Sequence, residues 1–398
     1  MNSCSSAFCI DAAITESAAP NARNRDYASS SAWGPPNFSP KLCPPRHVGP
    51  MRNAVHGHVG DARSDKVADA LAEELSSGAE VGAAIAVDID GESVLDIWAA
   101  TLTRRTTIEW GEDTIINVWS STKTVTSLAA LMVADRGLLD LDATVATYWP
   151  EFAANGKQDV RVRHSAVAHP QASPAGRSRS RSRTSYGWDK STSLLAAQAR
   201  VVGAGTASGY RALQLRAPDR RLIRRTAGKS LKDSSSATEI AGPLEADFQI
   251  GARPEDSGRI AQLIAPPAVR HPVRPAARRQ PDAGTLTNPA PDADVAPHRP
   301  SGVADADLGA VNGHGNARSL ARMLSPVSLG GTKPMVWSCC RRRRSTGSST
   351  CNLAQLDLVL GVLIRFGIGY GLPRRRPCRS CHPTRGSASG AVGVARWC

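Results

Sequence analysis

The sequence predicts an α+β fold, and the prediction rests on local patterns in the first third of the chain. From Val67 to Leu75 apolar residues recur every four positions, the spacing of an amphipathic helix. Two stretches of apolar β-forming residues follow, VGAAIAVD at 81–88 and SVLDIWAA at 93–100. They flank Asp90-Gly91, a dipeptide that supplies the positive φ angles of a tight hairpin. A helix beside an antiparallel hairpin is the start of an α+β domain.

A third pattern is a long apolar helix. The segment TVTSLAALMVADRG at 124–137 is predicted to form about four turns and to end at Gly137, a residue suited to a C-cap. Apolar residues cover nearly every side, so we expect this helix to run through the interior with its start buried as well. The following stretch, Leu138 to Phe152, is expected to be ordered but mostly non-helical. Later, Gly315–Leu324 is predicted to be helical, and Leu356–Leu363 and Arg365–Tyr370 are predicted to be strands.

Length and composition exclude several classes of protein. A chain of 398 residues is long enough for one large domain or two ordinary ones. With 41% hydrophobic and 21% charged residues, it is neither collagen, coiled coil nor disulfide scaffold. We find no apolar run of about 18 residues and no basic segment followed by an apolar one near the start. The expectation is a cytoplasmic protein without a transmembrane segment.

Charge and cysteine are unevenly distributed. The net charge is +14, yet residues 51–165 hold 10 Lys/Arg against 18 Asp/Glu. The excess basic charge is concentrated in places such as 177–183, 341–344 and 374–376, and none of the nine cysteines falls between residues 44 and 338. The chain therefore combines an acidic, cysteine-free body with basic, cysteine-rich patches, as if two kinds of sequence were joined.

Ser120 and Lys123 form a Ser-x-x-Lys motif at the start of the apolar helix. Positions i and i+3 share one helix face, so the Ser120 Oγ is expected within reach of the Lys123 amine. Lysines in apolar surroundings have lowered pKa values, and a neutral amine can accept the serine proton while the helix N-terminus favours developing negative charge. The alternative is structural, since serine at a helix start is commonly an N-cap. A lysine inside a buried helix must, however, be paired or functional.

Beyond this motif the sequence resembles the serine β-lactamase and penicillin-binding-protein superfamily, in particular its class C-related esterase branch. The resemblance implies an α+β, β-lactamase/transpeptidase-like fold: an antiparallel sheet flanked by helices, a helical lobe, and a site in the cleft between them. The phrases that carry it run in the family's order: VGAAIAVDIDGESVLDIW (81–98), NVWSSTKTVTSLAALMVADRGLLDLDATVATYWPEFAANGK (117–157), GTASGYRAL (205–213), TAGKSLKD (226–233), AGPLEADFQIG (241–251) and NGHGNARSLARML (312–324).

Carried over residue by residue, the resemblance implies three catalytic residues. Ser120 matches the acylated nucleophile, Lys123 the amine that activates it, and Tyr210 the tyrosine that relays protons. Two positions after the tyrosine many relatives have a polar residue, where this chain has Ala212. The third family element, a Lys-Thr-Gly, His-x-Gly or Trp-x-Gly strand that supplies an oxyanion donor, is not found after Gly371, where the chain continues as LPRRRPCRSC.

Shifted reading frames offer one explanation for the aberrant patches. Codons can be chosen for residues 335–340 so that a frame one base earlier encodes Asp-Gly-Val-Glu-Leu-Leu, the family's continuation. Similar shifts at 386–397 give Ile-Cys-Phe-Trp-Gly-Gly-Trp-Gly-Gly-Ser-Leu, which contains the absent Trp-x-Gly, and at 165–169 give Leu-Leu-Ser-His. The hypothesis is a hydrolase gene with several small insertions or deletions, or a faulty nucleotide sequence of an intact one.

The domain organisation follows from these patterns. Residues 1–50 are expected to be a disordered or mis-assigned N-terminal extension, with a second start available at Met51. Residues 51–373 are predicted to be one β-lactamase-like serine hydrolase domain, and 374–398 an aberrant basic tail. Inside that domain three segments are aberrant or linker-like: 165–185, 266–300 and 334–352.

Other motifs are weaker. Cys378-x-x-Cys381 with His382 lacks the second ligand pair that a zinc site needs. Gly228-Lys229-Ser230 has Ile223 where a phosphate loop requires glycine, so it is interpreted as a helix end. There is neither a Gly-x-Ser-x-Gly nor a His-Glu-x-x-His motif. No metal or cofactor is expected.

The leading functional prediction is hydrolysis of a small ester or lactam through an acyl-serine intermediate. One alternative is a catalytically inactive, frameshift-degraded remnant of such a hydrolase, because loss of an oxyanion donor costs orders of magnitude in rate. Another is a basic nucleic-acid-binding protein that uses RSRSRSR and the terminal arginines. The acidic body disfavours this last alternative, and no nucleic-acid partner is expected. Oligomeric state leaves no trace in the sequence.

Overall fold

The computed structural model describes residues 5–11, 55–60, 62–77, 80–100, 110–166, 188–199, 206, 217–235, 239–261, 263, 307–328, 353–357 and 363–372. The α-helices in these ranges are α1 (Ala62–Ser77), α2 (Thr122–Asp135), α3 (Val145–Tyr148), α4 (Val162–Ala166), α5 (Trp188–Ala197), α6 (Ala217–Ala227), α7 (Leu231–Ser235) and α8 (Ala317–Ser328). The strands are β1 (Ser5–Asp11), β2 (His56–Val59), β3 (Gly82–Ile89), β4 (Glu92–Ala100), β5 (Ile116–Asn117), β6 (Phe248–Ile250), β7 (Gly313–Gly315), β8 (Leu353–Leu356), β9 (Leu363–Phe366) and β10 (Gly371–Leu372).

The largest described sheet is antiparallel with strand order β1-β3-β4-β2. The predicted hairpin is confirmed: β3 and β4 are joined at Asp90 and Gly91, whose φ angles are 52° and 86°. Two consecutive positive φ angles match the right-handed twist of the flanking strands. The predicted first helix, α1, packs on this sheet and encloses a small core, whose buried members are Leu71, Leu75, Ala83, Leu95, Ile97 and Ala99.

Strand β1 lies within residues 1–50, the segment expected to be a disordered or mis-assigned extension. Ser5–Asp11 pairs with β3 along its whole length, from Ser5 opposite Ile89 to Asp11 opposite Ala83. The rest of 1–50 lies outside the described residues. An unpaired sheet edge accepts any chain segment that can extend and satisfy its N–H and C=O groups. Local composition does not reveal such a distant pairing.

Helix α2 is the centre of the helical core, as predicted. Every residue from Thr122 to Ala134 is buried, and the helix packs against α6 and α7. Its predicted end at Gly137 is also confirmed: Gly137 has φ 76°, and the Leu138 N–H donates to the Val133 carbonyl at 3.2 Å. With the Gly137 N–H on the Ala134 carbonyl at 3.0 Å, this is a Schellman cap.

After this cap, the stretch 138–152 is more helical than predicted. It holds α3 and a 3₁₀ turn at Pro150–Ala153, which is separate because proline lacks the N–H that would continue the helix. Further along, the helix predicted at 315–324 is found at Ala317–Ser328, and Gly228, with φ 71°, follows the end of α6 as expected.

Strands β8, β9 and β10 form a three-stranded sheet of order β10-β9-β8. Most of the strand predicted at 356–363 lies outside the described residues. The strand predicted at 365–370 is shorter than predicted, because the chain turns at 367–370 instead of remaining extended. Gly369 adopts φ 82°, which permits this turn. Tyr370 is buried, and its hydroxyl donates to the Thr124 carbonyl at 3.1 Å, so this turn contacts α2.

A small antiparallel sheet of order β5-β7-β6 lies against the start of α2. Gly313 in β7 approaches so closely that an added Cβ would lie 2.7 Å from both Thr122 Oγ1 and Phe248 Cζ. Only glycine fits there. Strand β5 leads directly into the turn that carries Ser120, so this sheet fixes where α2 begins. In the part of the chain that the structure describes, no helix is both long and apolar enough to span a bilayer.

Candidate active site

Ser120 lies in a 3₁₀ turn, Trp119–Ser121, that connects β5 to α2. The preceding residue, Trp119, has φ 45°, a left-handed conformation that is rare for a bulky side chain. Hydrogen bonds hold the peptide groups on both sides of it. The Trp119 N–H donates to Asn117 Oδ1 at 2.9 Å, and its carbonyl accepts from Thr122 Oγ1 at 2.5 Å. This turn presents the half-buried Ser120 at the N-terminus of α2.

The Lys123 amine lies one turn beyond Ser120, as the spacing predicted. Its Nζ donates to Ser120 Oγ at 3.0 Å and to the Ala310 carbonyl at 2.9 Å. The side chain is only 3% exposed, in a helix whose residues from Thr122 to Ala134 are all buried. A primary amine and a hydroxyl are thus held in contact in a water-poor environment at a helix N-terminus. That arrangement can transfer the hydroxyl proton to nitrogen and favour negative charge nearby.

Residues 309–313, here called the strap, cross the start of α2 and make hydrogen bonds with it. Thr126 Oγ1 donates to the Gly309 carbonyl at 2.7 Å, and the Gly313 N–H donates to Thr122 Oγ1 at 2.8 Å. On the other side, the Gly313 carbonyl accepts the Val118 N–H at 2.9 Å. The strap therefore fixes the serine turn and the Lys123 amine together. Sequence reasoning gave the strap no role, and its only local signal is a pair of glycines.

The other candidate site residues singled out from the sequence fall on parts of the chain that the structure does not describe. Tyr210 and Ala212 lie outside the described residues, as do Cys378, Cys381 and His382. The segments 266–300, 334–352 and 374–398, and all but two residues of 165–185, also lie outside them. Within the described ranges, no group of three or more His, Cys, Asp or Glu side chains could hold a metal ion.

His314 is a buried titratable group near the site that sequence reasoning did not single out. It occupies the middle of β7, opposite Asn117 of β5, and its Nδ1 lies 3.1 Å from the Asn312 carbonyl. Because a carbonyl only accepts, Nδ1 carries the proton. Burial lowers the pKa of His314 to about 4, with the Asn312 hydrogen bond opposing that shift. The imidazole is therefore neutral near pH 7.

Remaining perturbed groups have structural partners. Burial lowers the pKa of Lys157, whose Nζ donates to the carbonyls of Ala154, Ala196 and Gln198. Burial also lowers the pKa of Arg220 to about 10, and its guanidinium lies 4.1 Å from the centre of the Trp188 ring. These partners are backbone carbonyls and an indole ring, whereas Lys123 contacts a hydroxyl.

Comparison with known proteins identifies the family. A profile of the family described as Beta-lactamase matches residues 67–342, which is more than half of the chain. The chain belongs to the β-lactamase family. The esterase/beta-lactamase LipL of Mycobacterium tuberculosis is 31% identical over 345 residues, which span 82% of this chain and 77% of LipL.

Solved structures of β-lactamase-family relatives agree on the fold. A family VIII carboxylesterase superimposes with a TM-score of 0.70 at 31% identity, over 81% of this chain and 84% of its own. A penicillin-binding-protein homologue from Caulobacter crescentus also gives a TM-score of 0.70, at 27% identity over 82% of this chain and 84% of its own. The predicted β-lactamase/transpeptidase-like α+β fold is confirmed, and the protein is a member of a family of esterase- and β-lactamase-like hydrolases.

Proposed function

We propose that the protein hydrolyses small carboxylic esters through an acyl-enzyme intermediate on Ser120, with Lys123 as the base. The observation that carries the proposal is the 3.0 Å contact between Lys123 Nζ and Ser120 Oγ at the start of a buried helix. A buried lysine has a functional use when its partner is a nucleophile, because proton transfer between them produces an alkoxide where it can attack. Ser120 is half-buried, whereas its base is enclosed.

The reaction divides into two acyl transfers. In the first, Lys123 Nζ in its neutral form takes the Ser120 Oγ proton as Oγ bonds to the ester carbonyl carbon, and the carbonyl oxygen becomes an oxyanion. Collapse of this intermediate breaks the bond to the alcohol oxygen, which leaves with a proton. In the second transfer, water adds to the acyl carbon, the acid departs, and Oγ regains its proton. Charge at the oxyanion is favoured by the N-terminus of α2.

Tyr210 is proposed as the group that carries the proton between Lys123 and the leaving alcohol. The proposal rests on the match of GTASGYRAL at 205–213 with the family phrase. A phenol is suited to this role because its oxygen both donates and accepts a hydrogen bond. The relay needs no metal or cofactor.

The substrate class is proposed from the named relatives. LipL is described as an esterase and β-lactamase, and the structural relative as a carboxylesterase. An activated ester is therefore the first substrate to test, and a penicillin is the second. Both present a carbonyl carbon to the same nucleophile.

Covalent labelling tests the function. Purified protein is treated with p-nitrophenyl acetate, a fluorophosphonate and a fluorescent penicillin, and the adduct is located by mass spectrometry of its peptides. We expect a single adduct on Ser120, absent in Ser120→Ala, and labelling slowed about 100-fold or more in Lys123→Met. Ser121→Ala is the matched control, because the Ser121 hydroxyl is buried and has no hydrogen-bond partner among the described residues. This control should label like the unaltered protein.

The outcomes separate the functional alternatives. Absence of an adduct on Ser120 in folded protein would reject the hydrolase and leave an inactive member of the family. If Ser120→Ala were labelled as strongly as the unaltered protein, the nucleophile would be a different residue. Salt-dependent retention on DNA, without labelling, would instead favour the nucleic-acid-binding alternative.

A further inference from the structure

The left-handed backbone conformation of Trp119 must be held in place by neighbouring groups. A tryptophan with φ 45° is strained, and strained residues persist only where the surrounding structure holds them. Relaxing Trp119 to a negative φ would rotate the peptide that leads into Ser120, while α2 stays fixed by its packing. The serine Oγ would then leave the 3.0 Å contact with Lys123. Whatever holds Trp119 also holds the nucleophile.

The side chain of Asn117 makes the restraining contact. Its Oδ1 accepts the Trp119 N–H at 2.9 Å, the atom pair that rotation about φ would separate. Its Nδ2 donates to Asn312 Oδ1 at 3.3 Å. The two asparagines are 5% and 1% exposed, so water does not compete for these bonds.

Asn312 is itself held by the strap and the neighbouring sheet. Its backbone carbonyl accepts the Gly251 N–H at 2.8 Å and the His314 Nδ1–H at 3.1 Å. Two residues earlier in the strap, the Ala310 carbonyl accepts from Lys123. The strap thus reaches the base directly through Ala310 and the nucleophile indirectly through Asn312 and Asn117.

We propose that Asn117 and Asn312 are positioning residues for acylation: together they hold Trp119 in its left-handed conformation and so keep Ser120 Oγ on Lys123. We call these two side chains and the Trp119 N–H the asparagine clamp. This proposal rests on the proposed function, since it assigns a role in that reaction. Neither asparagine touches the substrate carbonyl in this scheme, and both act through the backbone of Trp119.

A double-mutant cycle tests the clamp. Asn117→Ala removes the restraint and is expected to slow acylation of Ser120 by about tenfold or more, with the concentration for half-maximal rate little changed. Trp119→Gly removes the strain, because glycine adopts positive φ without cost. In the double variant the rate should recover toward that of Trp119→Gly alone.

Thr126→Val is the matched control for lost buried hydrogen bonding. Thr126 also bonds the strap from α2 and is fully buried, but its hydroxyl donates to the Gly309 and Thr122 carbonyls and not to the backbone of Trp119. This variant should lower the melting temperature and show no coupling with Trp119→Gly. Rate effects of Asn117→Ala and Trp119→Gly that simply multiply in the double variant would overturn the clamp.

The same cycle is measured by thermal unfolding, so that the clamp is judged separately from the proposed function. Trp119→Gly loses the indole packing and should lower the melting temperature of the unaltered protein. In the Asn117→Ala background that loss should be larger, because a tryptophan that has already relaxed to a negative φ leaves no strain for glycine to relieve. Should wild type acquire no adduct on Ser120, the hydrolase proposal fails and the role in acylation fails with it. Equal melting shifts in both backgrounds would reject the restraint itself.

Discussion

Lys123 and Lys157 are both enclosed lysines, and their partners distinguish them. Lys157 donates to three backbone carbonyls, Ala154, Ala196 and Gln198, which can only accept. It ties the turn before it to the end of α5. Among the partners of Lys123, by contrast, is a hydroxyl, the Ser120 Oγ, which can give up a proton. The kind of atom opposite a buried amine therefore indicates its use better than burial does.

At the same scale, His314 makes stability depend on pH. Its pKa is about 4 in the fold and about 6.5 in an unfolded chain, so the unfolded state binds more protons between these values. Stability from this residue is present above pH 6.5 and is lost as the pH falls toward 4. We expect the free energy of unfolding to drop by about 2 kcal/mol between pH 7 and pH 5, measured by urea titration.

His314→Asn is the control for that titration. The asparagine amide can take the place of Nδ1 on the Asn312 carbonyl but does not titrate. In the His314→Asn variant, the free energy of unfolding should depend much less on pH between 7 and 5. If the free energy of unfolding of this variant still fell with pH as steeply as that of the unaltered protein, the pH dependence would belong to other groups. His164 is one such group, because burial also lowers its pKa.

At the scale of elements, α2 is defined at both ends by different means. Its start depends on tertiary contacts, because the strap supplies partners for Thr122, Lys123 and Thr126. Its end depends on the local Schellman cap at Gly137. The start is where the proposed chemistry lies, and the end is purely structural.

The helix cap at Gly137 predicts how much stability is lost when this glycine is replaced. Gly137 has φ 76°, and a Cβ at that position would meet nothing within 4 Å. Gly137→Ala should therefore destabilise the fold by about 1 kcal/mol through backbone strain alone. Chemical denaturation gives the value. Labelling of Ser120 should be unaffected.

Gly111→Ala is the matched control for the cap. A Cβ there also meets nothing within 4 Å, and its φ lies outside the positive region. Alanine should be neutral or stabilise by roughly 0.5 kcal/mol through the unfolded chain. A loss at Gly111 equal to that at Gly137 would mean that conformation is not the cause.

At the scale of the whole molecule, the family profile spans residues 67–342 and the helical core is continuous around α2. The segments 165–185 and 266–300, singled out by their composition, lie inside that span. We propose that 51–373 is one hydrolase domain and that 165–185, 334–352 and 374–398 are out-of-frame segments of its gene. The basic charge of the chain would then be a product of translation in the wrong frame.

Nucleotide sequencing tests this proposal. The gene should encode Leu-Leu-Ser-His after residue 164, Asp-Gly-Val-Glu-Leu-Leu near 335, and a Trp-Gly-Gly segment near 390 in neighbouring frames. Restoring those frames should add an oxyanion donor and raise the acylation rate by about 100-fold or more. An open frame whose alternatives encode none of these phrases would refute it.

Much of the fold could be predicted because its signals are local. Asp90-Gly91 specifies a hairpin, an apolar stretch ending in Gly137 specifies α2, and Ser120 and Lys123 meet because i and i+3 share a helix face. The resemblance added the overall architecture. The strand predicted at 365–370 was too long, because the turn at 367–370 lies within an apolar run whose periodicity does not mark it.

Only the tertiary structure decided how the serine is held. Asn117 and Asn312 are 195 positions apart, and Lys123 and Ala310 are 187 apart, so no periodic pattern links them. A backbone carbonyl carries no residue identity, and a positive φ at tryptophan has no sequence signature. Sequence alone therefore determined which atoms could react, because that depends on side-chain type and helical spacing. The folded chain decided their alignment, because hydrogen bonds between distant segments exist only once the core has packed.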